Sequence, residues 1–247
     1  MLDSVRLAVG TLTAAPTGAV RVTPRIAGRA MMLAPLAVAP LAAVAVAVGT
    51  LAARTGWPPL LAGLAVVAVL AAGTRALHLD GLADTVDGLG SGRPAAHALE
   101  VMRRGDIGPM GVVALVLVLG GQAAALGALL GDWPAAAGVF VLVCGSRLSL
   151  AVGCAAGVPA ARPAGLGAAV AGTVPRPAAL AGWLALAGLL AALSDPWWSG
   201  PLVALAGALA AVALTAYAVR RLGGITGDVL GAGVEASLTA MMLAALW

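Results

Sequence analysis

Charge, cysteine and lysine are all scarce in this sequence. Only 10% of the 247 residues are charged, whereas soluble domains are about one quarter charged, so the chain does not belong to that class. The two cysteines, Cys144 and Cys154, lie in one apolar run and are typical of buried thiols, not of a disulfide or a metal site. Every basic residue is an arginine, which we attribute to genomic base composition. The net charge of +4 is too small to indicate a nucleic-acid partner.

Apolar residues make up most of the chain, at 62% of the total, and the mean hydropathy is +1.04. A backbone exposed to lipid must satisfy its own hydrogen bonds, and the long Ala and Leu runs favour helices over the alternating strands of a barrel. We therefore predict an all-α transmembrane helical bundle that forms a single integral membrane domain over residues 1–247. We expect about seven spans, with a range of six to eight, near residues 31–52, 59–77, 110–130, 135–157, 178–193, 201–219 and 229–246.

The distribution of arginine predicts the orientation. With a cytoplasmic N-terminus, nearly all arginines fall on the cytoplasmic side, whereas Arg54 lies outside and Arg147 within a span. Residues 1–30 are too short in apolar length to span the bilayer, favour a short interfacial helix and show no cleavable signal peptide. We expect Asp132 in an outer turn and the tryptophans in an aromatic belt at the outer ends of the spans: Trp57, Trp133, Trp197, Trp198 and Trp247.

Five of the ten carboxylates lie in the stretch 75–110, which we interpret as a cytoplasmic acidic catalytic loop. In a helix, Asp80, Asp84 and Asp87 fall at positions i, i+4 and i+7 on one face, where they repel one another unless a cation lies between them. Hard oxygen ligands suit Mg²⁺, whose coordination shell is commonly completed by substrate phosphate. A solvated acidic loop is the alternative. His78 fits a base, a metal ligand or an ordinary hydrogen-bonding residue.

Two further cytoplasmic segments are candidates for phosphate binding. Arg103 and Arg104 precede a Gly-rich helix entry that contains Asp106, which suits a phosphate clamp or, alternatively, a positively charged membrane anchor. The Gly-rich motif 220–231 offers backbone N–H groups and a carboxylate, although a Gly-Gly pair is often only a turn. Its candidate residues are Gly223, Gly224, Thr226, Gly227 and Asp228.

Two arginines elsewhere in the chain call for separate interpretations. Arg147 lies inside a predicted span, where a charge costs several kcal/mol, so it should be paired or line a cavity. For Arg162, in a Pro-rich segment, we expect a loop-capping role. Glu235 should face either the bundle interior or the inner interface.

Three segments in order, HLDGLADTVDG, MRRGDIGPMG and GGITGDVLGA, resemble those of the cobalamin synthase family, the adenosylcobinamide-GDP ribazoletransferases. The similarity covers nearly the whole chain. The resemblance implies a Mg²⁺-dependent enzyme of the bacterial inner membrane that joins α-ribazole, or its 5′-phosphate, to adenosylcobinamide-GDP and releases GMP. The matching acidic positions are Asp80, Asp84 and Asp87, and the late motif matches at Gly223, Gly224, Thr226, Gly227 and Asp228.

The residues and the resemblance together give one hypothesis for the site. Asp80, Asp84 and Asp87, with Asp228 as a further ligand, hold Mg²⁺ against the diphosphate. Asp106, or a member of the triad that does not bind the metal, such as Asp80 or Asp84, is the expected general base. The expected phosphate-binding residues are Arg103, Arg104, Arg147, Gly223, Gly224, Thr226 and Gly227.

Other classes stay open from the residues alone. A CDP-alcohol phosphotransferase or an aromatic prenyltransferase also uses aspartate pairs in a membrane bundle, and a transporter would use Arg147 and Glu235 as intramembrane charges. A homo-oligomer is compatible with the sequence, which does not reveal the oligomeric state.

Overall fold

The structure of the protein, a computed structural model, describes residues 1–131 and 133–247. Asp132, for which we expect an outer turn, and the side chain of Trp133 lie outside the described residues. In the described part of the chain every regular element is helical, and extended backbone pairs only at two isolated parallel bridges, Ala155 with Val174 and Ala160 with Ile225. The predicted all-α class is confirmed.

Thirteen α-helices and one 3₁₀ turn account for the regular structure of the described residues. The helices are α1 Leu2–Leu12, α2 Pro24–Met32, α3 Ala34–Arg54, α4 Pro59–Gly73, α5 Leu77–Gly90, α6 Ala95–Val101, α7 Pro109–Leu129, α8 Trp133–Gly145, α9 Ser149–Gly153, α10 Leu166–Val170, α11 Arg176–Leu193, α12 Ser199–Leu222 and α13 Gly227–Ala244. The 3₁₀ turn, Ser146–Leu148, joins α8 to α9.

Five segments in the described part of the chain are long and apolar enough to cross a membrane: Ala34–Arg54, Pro109–Leu129, Ala135–Gly153, Arg176–Leu193 and Ser199–Leu222. A sixth would be reached only if α4 and α5, whose axes bend by 92° relative to each other, counted together as one span. Helix α13, where we expect the seventh span, is not among these segments, and most of its residues are buried by other helices. This count is roughly consistent with the predicted seven.

The bend between α4 and α5 has a local cause. Arg75 and Ala76 both have positive φ, 54° and 56°, and two successive left-handed residues cannot continue a right-handed helix. The second predicted span therefore ends at Gly73. Because α5 leaves the direction of α4, we treat it as a helix beyond the end of α4 and not as part of a membrane span. The predicted acidic loop contains this helix and α6.

Close helix packing in the bundle depends on small residues. A Cβ at Gly63 of α4 would collide with the carbonyl group of Ala123 in α7, and one at Gly127 of α7 would collide with that of Pro59. Small residues at such positions let helix backbones approach closely in a membrane. On the outer surface large apolar side chains stay exposed, among them Leu117 and Leu184, as a lipid-facing surface requires.

Candidate active site

Helices α5 and α13 approach each other through glycines. A Cβ on Gly81 would lie 2.7 Å from the carbonyl oxygen of Asp228, and a Cβ on Gly231 would lie 3.1 Å from the Cα of His78. Any larger residue at Gly81 would push the helices apart. The contact brings the acidic face of α5 beside the first turn of α13, so carboxylates about 145 residues apart in sequence share one site.

Asp84 is the buried carboxylate of this cluster, with 7% of its surface exposed. Burial raises the pKa of Asp84 to about 6, and the negative charges of Asp80, Asp228 and Asp87 add to the shift, whereas Arg162 opposes it. Burial also raises the pKa of Asp228, helped by the charge of Asp80. The cluster therefore holds more negative charge than its own arginine compensates, as expected of a site that receives a cation.

Asp87 has a structural task as well as a place in the cluster. Its two carboxylate oxygens accept the backbone N–H groups of Gly108, at 2.7 Å, and Gly111, at 2.8 Å. These donors belong to the N-terminal turn of α7, where a negative charge also interacts favourably with the helix dipole. Asp87 thus fixes the start of α7 and the end of the loop that carries Arg103, Arg104 and Asp106.

That loop presents its charged side chains to solvent. Arg103, Arg104 and Asp106 are all exposed, and Arg104 pairs with Glu100 one helical turn earlier, at 3.0 Å. An exposed pair of this kind contributes little stability. The structure therefore leaves both arginines open to solvent, on the loop whose end Asp87 anchors to α7.

Arg162 is the site residue that the sequence prediction missed. Its Nη1 lies 3.7 Å from Oδ2 of Asp228, and its Nη2 donates to the carbonyl oxygen of Leu99 at 2.8 Å. The loop reaches this position because the segment 159–161 pairs with Ile225, whose N–H donates to the carbonyl oxygen of Pro159 at 2.9 Å. The Pro-rich sequence around Arg162 indicated only a loop-capping role. No local sequence pattern predicts that the segment 159–161 pairs with Ile225, more than 60 residues away.

The glycines of the motif 220–231 shape this pairing. Gly223 ends α12 in the left-handed conformation, with φ 83°, and a Cβ on Gly224 would lie 2.5 Å from the carbonyl oxygen of Pro159. Thr226 caps α13: its hydroxyl accepts the N–H of Val229 at 3.2 Å and donates to Asp228 at 3.1 Å. In the structure, Gly223, Gly224 and Thr226 thus position Arg162 and Asp228, and Gly227 borders the cavity described next.

A cavity of about 230 Å³ opens beside the carboxylates. Asp80, Asp228 and Arg162 line it together with His78 and Gly227. The rest of its wall comes from α1, α2, α5, α9, α10 and α13. This is where the charged side chains of the site face open space.

Arg147 lies elsewhere, in the bundle interior, with 1% of its surface exposed. Its Nη1 donates to the carbonyl oxygen of Val143, at 2.7 Å, and to the hydroxyl of Ser146, at 2.8 Å. It lines a second cavity, of about 20 Å³, with Glu235, whose carboxylate accepts the side-chain amide of Gln122 at 2.8 Å. The expectation that Arg147 is paired or lines a cavity is met. Its guanidinium, however, belongs to this interior polar cluster, and Arg147 is not among the residues that line the cavity beside Asp80.

His78 separates the two cavities and lines both. It is buried, and its Nδ1 lies 3.8 Å from a carboxylate oxygen of Glu235. The interior cavity has room for about one water molecule, with polar groups on several sides to hold it.

The carboxylates of this cluster suit a cation whose coordination is completed by oxygen atoms of the substrate. Within residues 1–131 and 133–247, no three His, Cys, Asp or Glu side chains come close enough to hold a metal ion by themselves. Mg²⁺ does not need such a cage, because it usually takes one or two carboxylates together with water and phosphate oxygens. The donors that fit are Asp80, Asp84 and Asp228: the charge of Asp80 raises the pKa of Asp84 and of Asp228, and the charge of Asp228 adds to the shift of Asp84. Asp87 already uses both oxygens on α7.

The fold and the site together define a class: a polytopic helical membrane protein with an acidic, arginine-containing site suited to a phosphate-bearing substrate. The family model for cobalamin-5-phosphate synthase matches residues 4–246. The chain belongs to this family, as its three motifs predict.

Curated relatives match the chain over most of their length. An adenosylcobinamide-GDP ribazoletransferase of Nocardioides sp. is 49% identical over 245 residues, which cover 99% of this chain and 98% of the relative. A relative with the same name from Frankia casuarinae is 40% identical, over 98% of this chain and 94% of the relative. Another from Bradyrhizobium diazoefficiens is 38% identical, over 79% of this chain and 74% of the relative. No solved structure matches the chain.

Proposed function

We propose that this chain transfers α-ribazole, or its 5′-phosphate, onto adenosylcobinamide-GDP, releases GMP and so completes the nucleotide loop of a cobalamin. The observation that carries the proposal is the match of the whole chain to relatives of that name, supported by the acidic cluster where α5 meets α13. The finer assignments, a Mg²⁺ site on the cytoplasmic face of a bacterial inner membrane, rest on the distribution of arginine and on the carboxylate chemistry.

In the reaction a ribose hydroxyl oxygen of the acceptor attacks the phosphorus that is linked to cobinamide. The bond from that phosphorus to the GMP oxygen breaks, GMP leaves with the electron pair, and the hydroxyl proton passes to a base. Such transfers depend mainly on positioning and on neutralisation of phosphate charge. Asp80, Asp84 and Asp228 would hold Mg²⁺, which when bound would neutralise the diphosphate oxygens.

The protein's own side chains have distinct roles in this proposal. Arg162, half-buried in the cavity wall, binds a phosphate oxygen through the N–H groups that it does not share with Leu99. Arg103, on the exposed loop, adds a second contact at the rim. Asp106, on the exposed loop, is one proposed base for the hydroxyl proton of the acceptor; Asp80, which is exposed and lines the cavity, takes that role only if it does not bind Mg²⁺.

Product analysis tests this function. Purified protein in liposomes receives adenosylcobinamide-GDP and α-ribazole or its 5′-phosphate, and the released nucleotide and the corrinoid product are identified by mass spectrometry. We expect GMP and a cobalamin, or its 5′-phosphate, in equal amounts. In the absence of GMP, release of CMP in a parallel reaction that receives a CDP-alcohol would replace the proposal with the phosphotransferase alternative, and solute flux without any product would replace it with the transporter alternative.

A further inference from the structure

The cavity beside Asp80 has many apolar lining residues that phosphate chemistry does not explain. Its wall there consists of side chains from five helices: Leu12, Met31, Leu150, Leu166 and Leu230. Leu12, Met31, Leu150 and Leu230 are at most 4% exposed and belong to one packed cluster. The same cavity is also lined by Asp80, Arg162 and Asp228. One cavity thus joins an apolar compartment to the charged groups of the site.

Size and polarity limit what this compartment accepts. Pockets for drug-sized ligands have about 300–1,000 Å³, so a cavity of about 230 Å³ admits a small bicyclic ring and excludes a corrinoid. Phosphate and guanine would lose their hydrogen bonds to water against leucine and methionine without replacement, which is costly. Of the groups named in the proposed reaction, only the base of the ribazole acceptor is both small and largely apolar.

We propose that this cavity is the subsite for the acceptor nucleoside, with its flat apolar base among Leu12, Met31 and Leu150 and its ribose toward Asp80. The inference rests on the proposed function and adds to it which substrate enters the cavity and what selects its base. Burial of the base supplies binding energy in proportion to the apolar area covered. The ribose hydroxyl is then held next to the carboxylates, and the large corrinoid approaches from outside.

The amphipathic helix α1 forms part of this subsite. Its buried face, which includes Ala8 and Leu12, packs against the rest of the protein, and Leu12 reaches the cavity wall. The N-terminal segment, too short to span a membrane, therefore contributes an apolar side chain to the cavity wall. A base with exocyclic polar groups would leave those groups without partners there and should be a poor acceptor.

Leu166 offers a test that spares the core. It lines the cavity but is 38% exposed, so Leu166→Trp narrows the subsite without disturbing a buried cluster, and Leu166→Ala widens it. Leu184→Trp is the matched control, because Leu184 is 63% exposed on α11 and lies away from the cavity. Folding of each variant is checked by size exclusion and thermal unfolding in detergent.

Two readouts are needed. The first is KM for each substrate in the GMP-release assay, and the second is calorimetric binding of α-ribazole alone to protein in nanodiscs. We expect Leu166→Trp to raise the KM and the Kd for α-ribazole by about tenfold or more and to leave the KM for adenosylcobinamide-GDP within about twofold. Leu166→Ala should improve acceptors with a bulkier base relative to α-ribazole, and Leu184→Trp should match the wild type.

The outcomes separate the subsite from the function. If the wild type releases GMP but Leu166→Trp changes neither KM, or changes both alike, and Leu166→Ala keeps the wild-type preference, the subsite is wrong and the function stands. If the wild type releases no GMP but binds α-ribazole, and Leu166→Trp weakens that binding, the subsite stands and the function falls. Absence of both GMP release and α-ribazole binding would overturn both.

Discussion

Replacement of Asp84 by asparagine should stabilise the metal-free protein and abolish its turnover. Asp84 is 7% exposed. Its pKa is raised from 3.8 to about 6 by burial and by the negative charges of three other carboxylates. Because the folded-state pKa lies above the unfolded value, the folded protein binds the proton more tightly. Stability that is present below about pH 4 is therefore lost as the pH rises through about 6.

The size of the effect follows from the shift. A change of two pKa units corresponds to about 3 kcal/mol between the two protonation states, which is an upper bound for the destabilisation by ionised Asp84 at pH 8. Asparagine has nearly the same shape and no charge, so it removes this destabilisation. Asp80→Asn is the matched control: Asp80 lies one turn earlier on the same helix face but is exposed, and its replacement should change stability by less than about 1 kcal/mol.

The assay is equilibrium unfolding in mixed micelles by SDS, followed by tryptophan fluorescence, with EDTA present. We expect Asp84→Asn to be more stable than the wild type by about 1–3 kcal/mol at pH 8, with a smaller difference at pH 5. Added Mg²⁺ should stabilise the wild type more than the variant. The prediction would be wrong if the variant were no more stable than the wild type at pH 8. It would also be wrong if the difference in stability between the two proteins did not decrease from pH 8 to pH 5.

Three further substitutions test other parts of the structure. Asp87→Asn should cost about 1.5–3 kcal/mol in the same unfolding assay, because one backbone N–H of α7 loses its charged acceptor; an unchanged midpoint would argue against this cap. Gly81→Ala should lower kcat/KM at least about tenfold by forcing α5 away from α13, whereas Gly121→Ala, where a Cβ meets nothing within 4 Å, should not, and equal activity of the two would contradict the packing argument. Glu235→Leu should destabilise by about 3–5 kcal/mol, since Arg147 then stays buried without a compensating charge; wild-type stability would show that the two do not interact.

Much of the site is predictable from local sequence. The spacing of Asp80, Asp84 and Asp87 predicts one acidic helix face, and the structure has a helix over those residues. Apolar length predicts the long spans, because the bilayer thickness sets it. These predictions succeed because each depends only on residues within a few turns of one another.

What depends on distant pairing was not predictable. Arg162 joins Asp228 only because the segment 159–161 pairs with Ile225, and Asp87 uses its oxygens on a helix start more than 20 residues away. The break after Gly73 arises from two left-handed non-glycine residues, Arg75 and Ala76, which no propensity favours. Arg147 shows the remaining gap: its intramembrane position predicts burial or pairing, but not which cavity it faces.

Metal-dependent GMP release tests the central claim most directly. The wild type and Asp80→Ala would be compared in liposomes with adenosylcobinamide-GDP and α-ribazole, with Mg²⁺ and after chelation. We expect GMP from the wild type only with Mg²⁺ and none from Asp80→Ala, which should insert and unfold like the wild type. Full turnover by folded Asp80→Ala, or undiminished wild-type turnover after chelation, would contradict the acidic cation site at the junction of α5 and α13.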